Sequence, residues 1–182
     1  MQVVALFAAF AGTLISILSL SRIAYAWHDK SQPRTLSELA AEQDTVLLRF
    51  RNTLWLCGTL FAVTVYGLLI WKLSVGIWLF VAWTVTYVGN ILLAVFPARD
   101  KTVRLHLLYA QAMAAGMLAM AYLFWVSMQH GFEIAGMVIA LSMTTLALLT
   151  VFDKVRYIFY ELSFLYLSHA SIALAAVYVT TR

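Results

Sequence analysis

The stretch FEIAGMVIALSMTTLALLTVF, residues 132–152, decides the fold class. After Glu133 it runs from Ile134 to Phe152 without a charge. About 20 apolar residues in an α-helix cross a hydrocarbon core of roughly 30 Å. A barrel strand would show about ten residues of strict polar alternation, and none is present. The stretch reads as a transmembrane helix. Outward from it, the charges cut the chain into five more such runs, giving spans at about 1–27, 52–71, 76–97, 104–128, 132–152 and 157–180. The expected fold is all-α: residues 1–182 form one domain, a compact bundle of six transmembrane helices. Composition agrees, with 64% hydrophobic and 11% charged residues and a mean hydropathy of +0.90, where soluble domains carry about 25% charge. These values exclude a soluble globular domain and a disordered chain, and a single cysteine, Cys57, excludes a disulfide scaffold.

The first run has no basic residue before its apolar stretch and continues to Arg22, too long for a signal h-region. It is expected to stay as a helix. Of twelve Lys and Arg residues, Arg22, Lys30, Arg34, Arg49, Arg51, Arg99, Lys101, Arg104, Lys154 and Arg156 fall at the first, third and fifth connections. Lys72 and Arg182 fall on the other side. Basic loops mark the cytoplasmic face. The chain is therefore expected in the plasma (inner) membrane, multi-pass, with both termini extracytoplasmic. The net charge of +4 is read as topology, so no nucleic-acid partner is expected. Trp27, Trp55, Trp71, Trp78 and Trp125 lie near span ends, as interfacial anchors do.

Between the first two spans, Thr35-Leu36-Ser37-Glu38 matches a capping box, in which Thr and Glu side chains each satisfy an orphan backbone N–H. A helix should start at Thr35. Leu36, Leu39, Ala40, Val46, Leu47 and Phe50 recur at helical spacing, which predicts an interfacial amphipathic helix over about 35–50. It serves either as a plain connector or as a lid over a cavity in the bundle.

An ionisable residue inside a span is costly and marks a candidate site. Three qualify. Glu161 and His106 belong to the cytoplasmic half, and His169 lies eight residues beyond Glu161, on nearly the same helix face. Arg99, Asp100, Arg104, Tyr157 and Tyr160 sit at similar depth to the first two, with Asn90 deeper. The ligand-binding candidates are Arg99, Asp100, Arg104, His106, Tyr157, Glu161 and His169, and the catalytic candidates are His106, Glu161 and Asp100. A carboxylate beside an imidazole can do acid/base work, bind a metal or grip a lipid head group with the arginines. It can equally be structural glue, with Asp100 paired to Arg104. Spacing does not choose among these. No cofactor is expected: His106 and His130 sit at opposite ends of one helix, as haem ligands would not, Lys72 is too superficial for a Schiff base, and no zinc motif occurs. Cys57 reads as a small buried hydrophobe. Small residues such as Gly12 and Gly116 read as helix-packing contacts. Met113, Met117 and Met120 form either core or the wall of an adaptable apolar groove.

Leu36-Ser37-Glu38-Leu39-Ala40, then Phe50-Arg51-Asn52 and Gly58, and later Phe96-Pro97-Ala98-Arg99-Asp100 with His106 after five residues, carry a resemblance. The chain resembles the Frag/DRAM/Sfk group of six-span membrane proteins, especially its small bacterial members. The likeness covers the span count, the length and about a third of the chain. It implies that Ser37, Glu38, Asn52, Pro97, Asp100 and His106 are family-type positions, and that the role is lipid handling or membrane organisation, with no catalytic residue to carry over. His169 stands outside it. Three functions are therefore expected in turn: a lipid- or amphiphile-binding protein with a polar pocket at the cytoplasmic leaflet; an intramembrane lipid hydrolase or transferase using His106 with Glu161 or Asp100; and a small-solute transporter or transporter subunit. The expected partner is membrane lipid, with a second copy or a membrane protein as further candidates.

Overall fold

A computed structural model describes residues 1–26, 35–99, 102–153 and 156–182. Among these residues the protein is helical and has no strand. Six helices are long and apolar enough to span a bilayer: α1 (Gln2–Ala26), α3 (Asp44–Lys72), α4 (Gly76–Val95), α5 (Val103–Ser127), α6 (Phe132–Phe152) and α7 (Tyr157–Thr180). A short helix, α2 (Leu36–Ala41), precedes α3. The protein is a multi-pass α-helical membrane protein with all six expected spans.

The capping box forms as read: the Thr35 N–H donates to Glu38 Oε2 at 2.8 Å and the Glu38 N–H donates to Thr35 Oγ1 at 3.1 Å. The helix it starts is shorter than the apolar spacing suggests. It ends at Ala41, Gln43 is extended, and α3 begins at Asp44. The reason is a distant side chain. Arg99, after α4, donates from Nε to the Ala41 carbonyl at 2.6 Å and pairs through Nη2 with Asp44 at 2.9 Å. One guanidinium thus serves an orphan carbonyl at the end of α2 and an acidic first turn of α3. From Asp44 to Lys72 the span rises about 43 Å at 1.5 Å per residue, well beyond a hydrocarbon core of about 30 Å. Its first turns, with Asp44, Arg49 and Arg51, therefore stand outside the core. Within α3, Val65–Leu69 forms a π-helical turn.

The six spans close a ring: α1 packs on α3 and α7, α3 on α4, α4 on α5, α5 on α6, and α6 on α7. α7 has the largest buried share and α6 the smallest. The outer surface is apolar, with Phe7 and Leu14 on α1, Ile77 and Val85 on α4, and Val138 and Leu148 on α6 exposed. Lipid is as apolar as these side chains, so close packing and interhelical hydrogen bonds hold the ring. The Thr64 hydroxyl donates to the Ala5 carbonyl at 2.8 Å and the Cys57 thiol to the Gly12 carbonyl at 3.5 Å, joining α3 to α1. Asn90 Nδ2 donates to the Leu54 carbonyl at 2.8 Å, joining α4 to α3. Gly58 makes room for it, since a Cβ there would lie 2.6 Å from that nitrogen.

Far from the basic connections, Val65, Leu68, Leu69, Leu79 and Phe124 pack into a fully buried apolar plug. The polar interior lies in the other half. Trp71 and Trp78 are exposed at span ends, as anchors are, and Trp55 is exposed on α3. Trp125 is half-buried against Gly136, and Trp27 lies outside the described residues.

Candidate functional site

Inside the ring, α1, α3, α4, α5 and α7 enclose a cavity of about 70 Å³, closed on the basic side by Leu36 and Ser37 of α2. His106, Glu161, Asn90, Thr53 and Ser37 line it toward that side, and Trp83, Thr86, Ser168 and His169 line it further along. Met113, Met117 and Met120 supply apolar wall and are buried, so the methionine stripe faces the cavity and not the lipid.

His106 Nδ1 lies 2.7 Å from the Phe96 carbonyl. A carbonyl only accepts, so Nδ1 carries the proton and Nε2 bears the lone pair of the neutral ring. Glu161 performs a different task. Its Oε2 accepts from the Leu36 N–H at 2.7 Å, satisfying the first orphan donor of α2 from a helix 125 residues away. The carboxylate therefore holds the cap of the cavity in place. His169 stacks on Phe61 with ring centroids 4.6 Å apart, and its carbonyl accepts from the Thr13 hydroxyl at 3.4 Å.

Among the described residues, three polar atoms of the lining have no hydrogen-bond partner: Trp83 Nε1, Ser168 Oγ and His169 Nδ1. Their residues are 2%, 0% and 6% exposed. An unsatisfied buried polar group costs about 1–3 kcal/mol, and more inside a bilayer. Trp83 and Ser168 were not among the candidates. Trp83 had a readable signal, because it sits eight residues into its span where an anchoring tryptophan would sit at the end. Ser168 had none, since hydroxyls are ordinary inside transmembrane helices.

A second depression, about 340 Å³, lies between α5, α6 and α7 and is lined by Leu107, Ala114, Val151, Tyr157 and Phe164. Ala110, Met113, Glu161 and Leu165 line both this groove and the enclosed cavity.

The structure therefore gathers His106, Glu161 and His169 around one cavity and places Tyr157 on the adjoining groove. It does not bring the arginines there. Arg99 is committed to Ala41 and Asp44, and Arg104 is exposed and lines neither space. Tyr160 donates to Asp153 at 2.8 Å, away from the cavity. Asp100, with its expected pairing to Arg104, lies outside the described residues. Among the described residues no three of His, Cys, Asp and Glu come together as metal ligands. These features define a six-span membrane protein with an interior, mostly apolar cavity carrying isolated polar stations. The chain matches no family model, no curated protein and no solved structure.

The Arg99 staple yields a graded expectation. Arg99→Ala should speed amide exchange at Glu42–Leu47 about five-fold, equivalent to ~1 kcal/mol for a hydrogen bond to a carbonyl. Asp44→Asn should change it less than two-fold, because Asp44 is 89% exposed and such ion pairs contribute little. Equal effects in the two variants would show that the ion pair, and not the carbonyl contact, sets the break.

Proposed function

We propose that this protein binds a neutral or zwitterionic membrane amphiphile at the inner leaflet, in a role of lipid handling or membrane organisation. The observation that carries the reading is the shared wall: Ala110, Met113, Glu161 and Leu165 border both the polar cavity and a groove on the flank of the bundle. The polar part of the ligand enters the cavity past His106 and Glu161, and its chain leaves into the groove beside Leu107 and Phe164. Among the described residues no Lys or Arg lines the cavity, which favours a neutral or zwitterionic head group over a simple phosphate. The resemblance to the Frag/DRAM/Sfk group supports the same role. The ten-to-two division of basic residues supports a cytoplasmic position for α2 and the cavity end it covers, with both termini opposite.

The test is native mass spectrometry of gently extracted protein, wild type beside a His106→Ala/Glu161→Gln variant. The wild type should retain a defined neutral or zwitterionic lipid that the variant loses while remaining folded. Identical, nonspecific lipid in both would end the proposal and leave the polar cluster as structural glue.

A second reading, an intramembrane lipid hydrolase or transferase, draws on one feature, the Phe96 carbonyl that fixes His106 as an Nε2 base. It requires lipid turnover that disappears in His106→Ala with binding retained.

A further inference from the structure

We propose that the groove between α1 and α3 at the basic end of the bundle, which Arg22 and Arg49 both line, binds the phosphate of a net-anionic membrane phospholipid. Among the described residues it shares only Thr53 with the interior cavity, so it stands or falls apart from the functional reading above.

The register of the two helices puts both arginines at one level. Ala5 meets Thr64 and Gly12 meets Cys57, so seven residues forward on α1 are seven back on α3. Continued at that rate, Arg22 comes opposite Leu47, and Arg49 lies two residues on, about 3 Å away in depth. Helical spacing turns them to the same space. Ser19, Arg22 and Ile23 stand at i, i+3 and i+4 on α1, and Val46, Arg49 and Thr53 at i, i+3 and i+7 on α3. All six line one groove of about 410 Å³, together with Asn52. Ile23 and Val46 are buried, Ser19 is half-buried, and Arg22, Arg49 and Asn52 are exposed. The groove therefore has an apolar base and a polar rim.

The chemistry of that rim selects the guest. The Thr53 hydroxyl is spent on the Arg49 carbonyl at 2.9 Å, which leaves two guanidinium forks with the Ser19 hydroxyl and the Asn52 amide. Among the described residues no Asp or Glu lines the groove. Guanidinium forks match the oxygens of a phosphate. A zwitterionic head group would bring an ammonium with no carboxylate to receive it, so the lipid carries net negative charge. Depth identifies the source of the phosphate. From Gln2 to Arg22 α1 rises about 30 Å, one hydrocarbon thickness, which sets Arg22 at the level of the lipid phosphates. Leu14 and Leu18, two turns and one turn before Arg22 on the same helix face, are 58% and 51% exposed. An acyl chain lies along that stripe, which free phosphate would leave bare.

The experiment titrates the full chain in detergent micelles with phosphatidylglycerol or phosphatidylcholine of identical acyl chains, and counts bound lipid by native mass spectrometry. Wild type should bind phosphatidylglycerol at least about ten-fold more tightly than phosphatidylcholine, as two basic residues at a membrane surface allow. Arg22→Gln and Arg49→Gln should each weaken phosphatidylglycerol about five-fold, and the double variant should abolish the preference. Both side chains are exposed, so the variants should elute and melt like wild type, and the single variants carry the reading if the double is lost in extraction. Arg104→Gln/Arg156→Gln removes the same charge from the basic end of the bundle, outside the groove, and should keep most of the preference. Inorganic phosphate in large excess should leave bound phosphatidylglycerol in place. A wild type without preference overturns the proposal, as does an equal loss in the charge-matched variant, which would mean diffuse attraction. Displacement by inorganic phosphate overturns the lipid as occupant.

Discussion

Gly116→Leu is expected to leave no monodisperse folded protein after extraction, and Gly116→Ala to lower the unfolding temperature by about 5–10 °C. At this position α4 and α5 pack closely. A Cβ would press on Thr86 Oγ1, lie 2.7 Å from the Ala82 carbonyl and 3.0 Å from the Thr86 nitrogen. Two of those three atoms are backbone, so the helices themselves must separate. Overpacking of this kind costs about 1–3 kcal/mol for small additions, and for a chain of this length each kcal/mol moves the midpoint by roughly 2–4 °C. Leucine adds three more carbons against the same backbone, and total stabilities of about 5–15 kcal/mol leave little reserve. Gly67→Ala is the control, because nothing lies within 4 Å of a Cβ there. Its midpoint should stay within 2 °C of wild type. A normal elution profile for Gly116→Leu would show that the α4–α5 contact is looser than described.

Glu161→Ala should release α2. The substitution strands the buried Leu36 N–H, at about 1–3 kcal/mol, and also removes packed volume next to it. Since ~1.4 kcal/mol is ten-fold in an equilibrium, amide exchange across Leu36–Ala41 should accelerate ten- to hundred-fold. Glu161→Gln keeps an oxygen that accepts the same bond and should stay within about three-fold of wild type. Exchange that is unchanged in the alanine variant would mean that the Arg99 staple and the burial of Leu39 and Ala40 hold α2 without Glu161.

The contrast between what could be read in the chain and what could not follows the range of each interaction. The spans were legible because a bilayer imposes a length and an apolar composition on every crossing, and residues 132–152 state both. The Thr35 cap was legible because its two partners are three residues apart. The break at Glu42 was not: Leu36, Leu39, Val46 and Phe50 continue one helical stripe, and the interruption comes from Arg99, 58 residues from the carbonyl it takes. Glu161 and His106 were visible as costly polar residues at matching depth, but the first is spent on the backbone of α2. Depth alone also says nothing about which way the arginines face: Arg99, past the end of α4, turns to Ala41 and Asp44, and Arg104 is exposed. The depth of Trp83 in its span was a readable signal, whereas Ser168 became a candidate only when folding left its hydroxyl buried without a partner among the described residues.

Ribosomal order adds a consequence of the ring closing between α1 and α7. Thr13 and its acceptor at His169 are separated by 156 residues. When α1 through α6 have emerged, the cavity still lacks a wall, and Ser16, Thr53 and Asn90 border an open seam. Emerging after these, α7 must be accepted laterally between two helices already in the bilayer, and it brings Glu161, Ser168 and His169 of the cavity lining with it. A nascent chain stalled before Tyr157 therefore offers quality-control machinery a hydrophilic stripe in the membrane, which disappears in one step when the seventh helix docks.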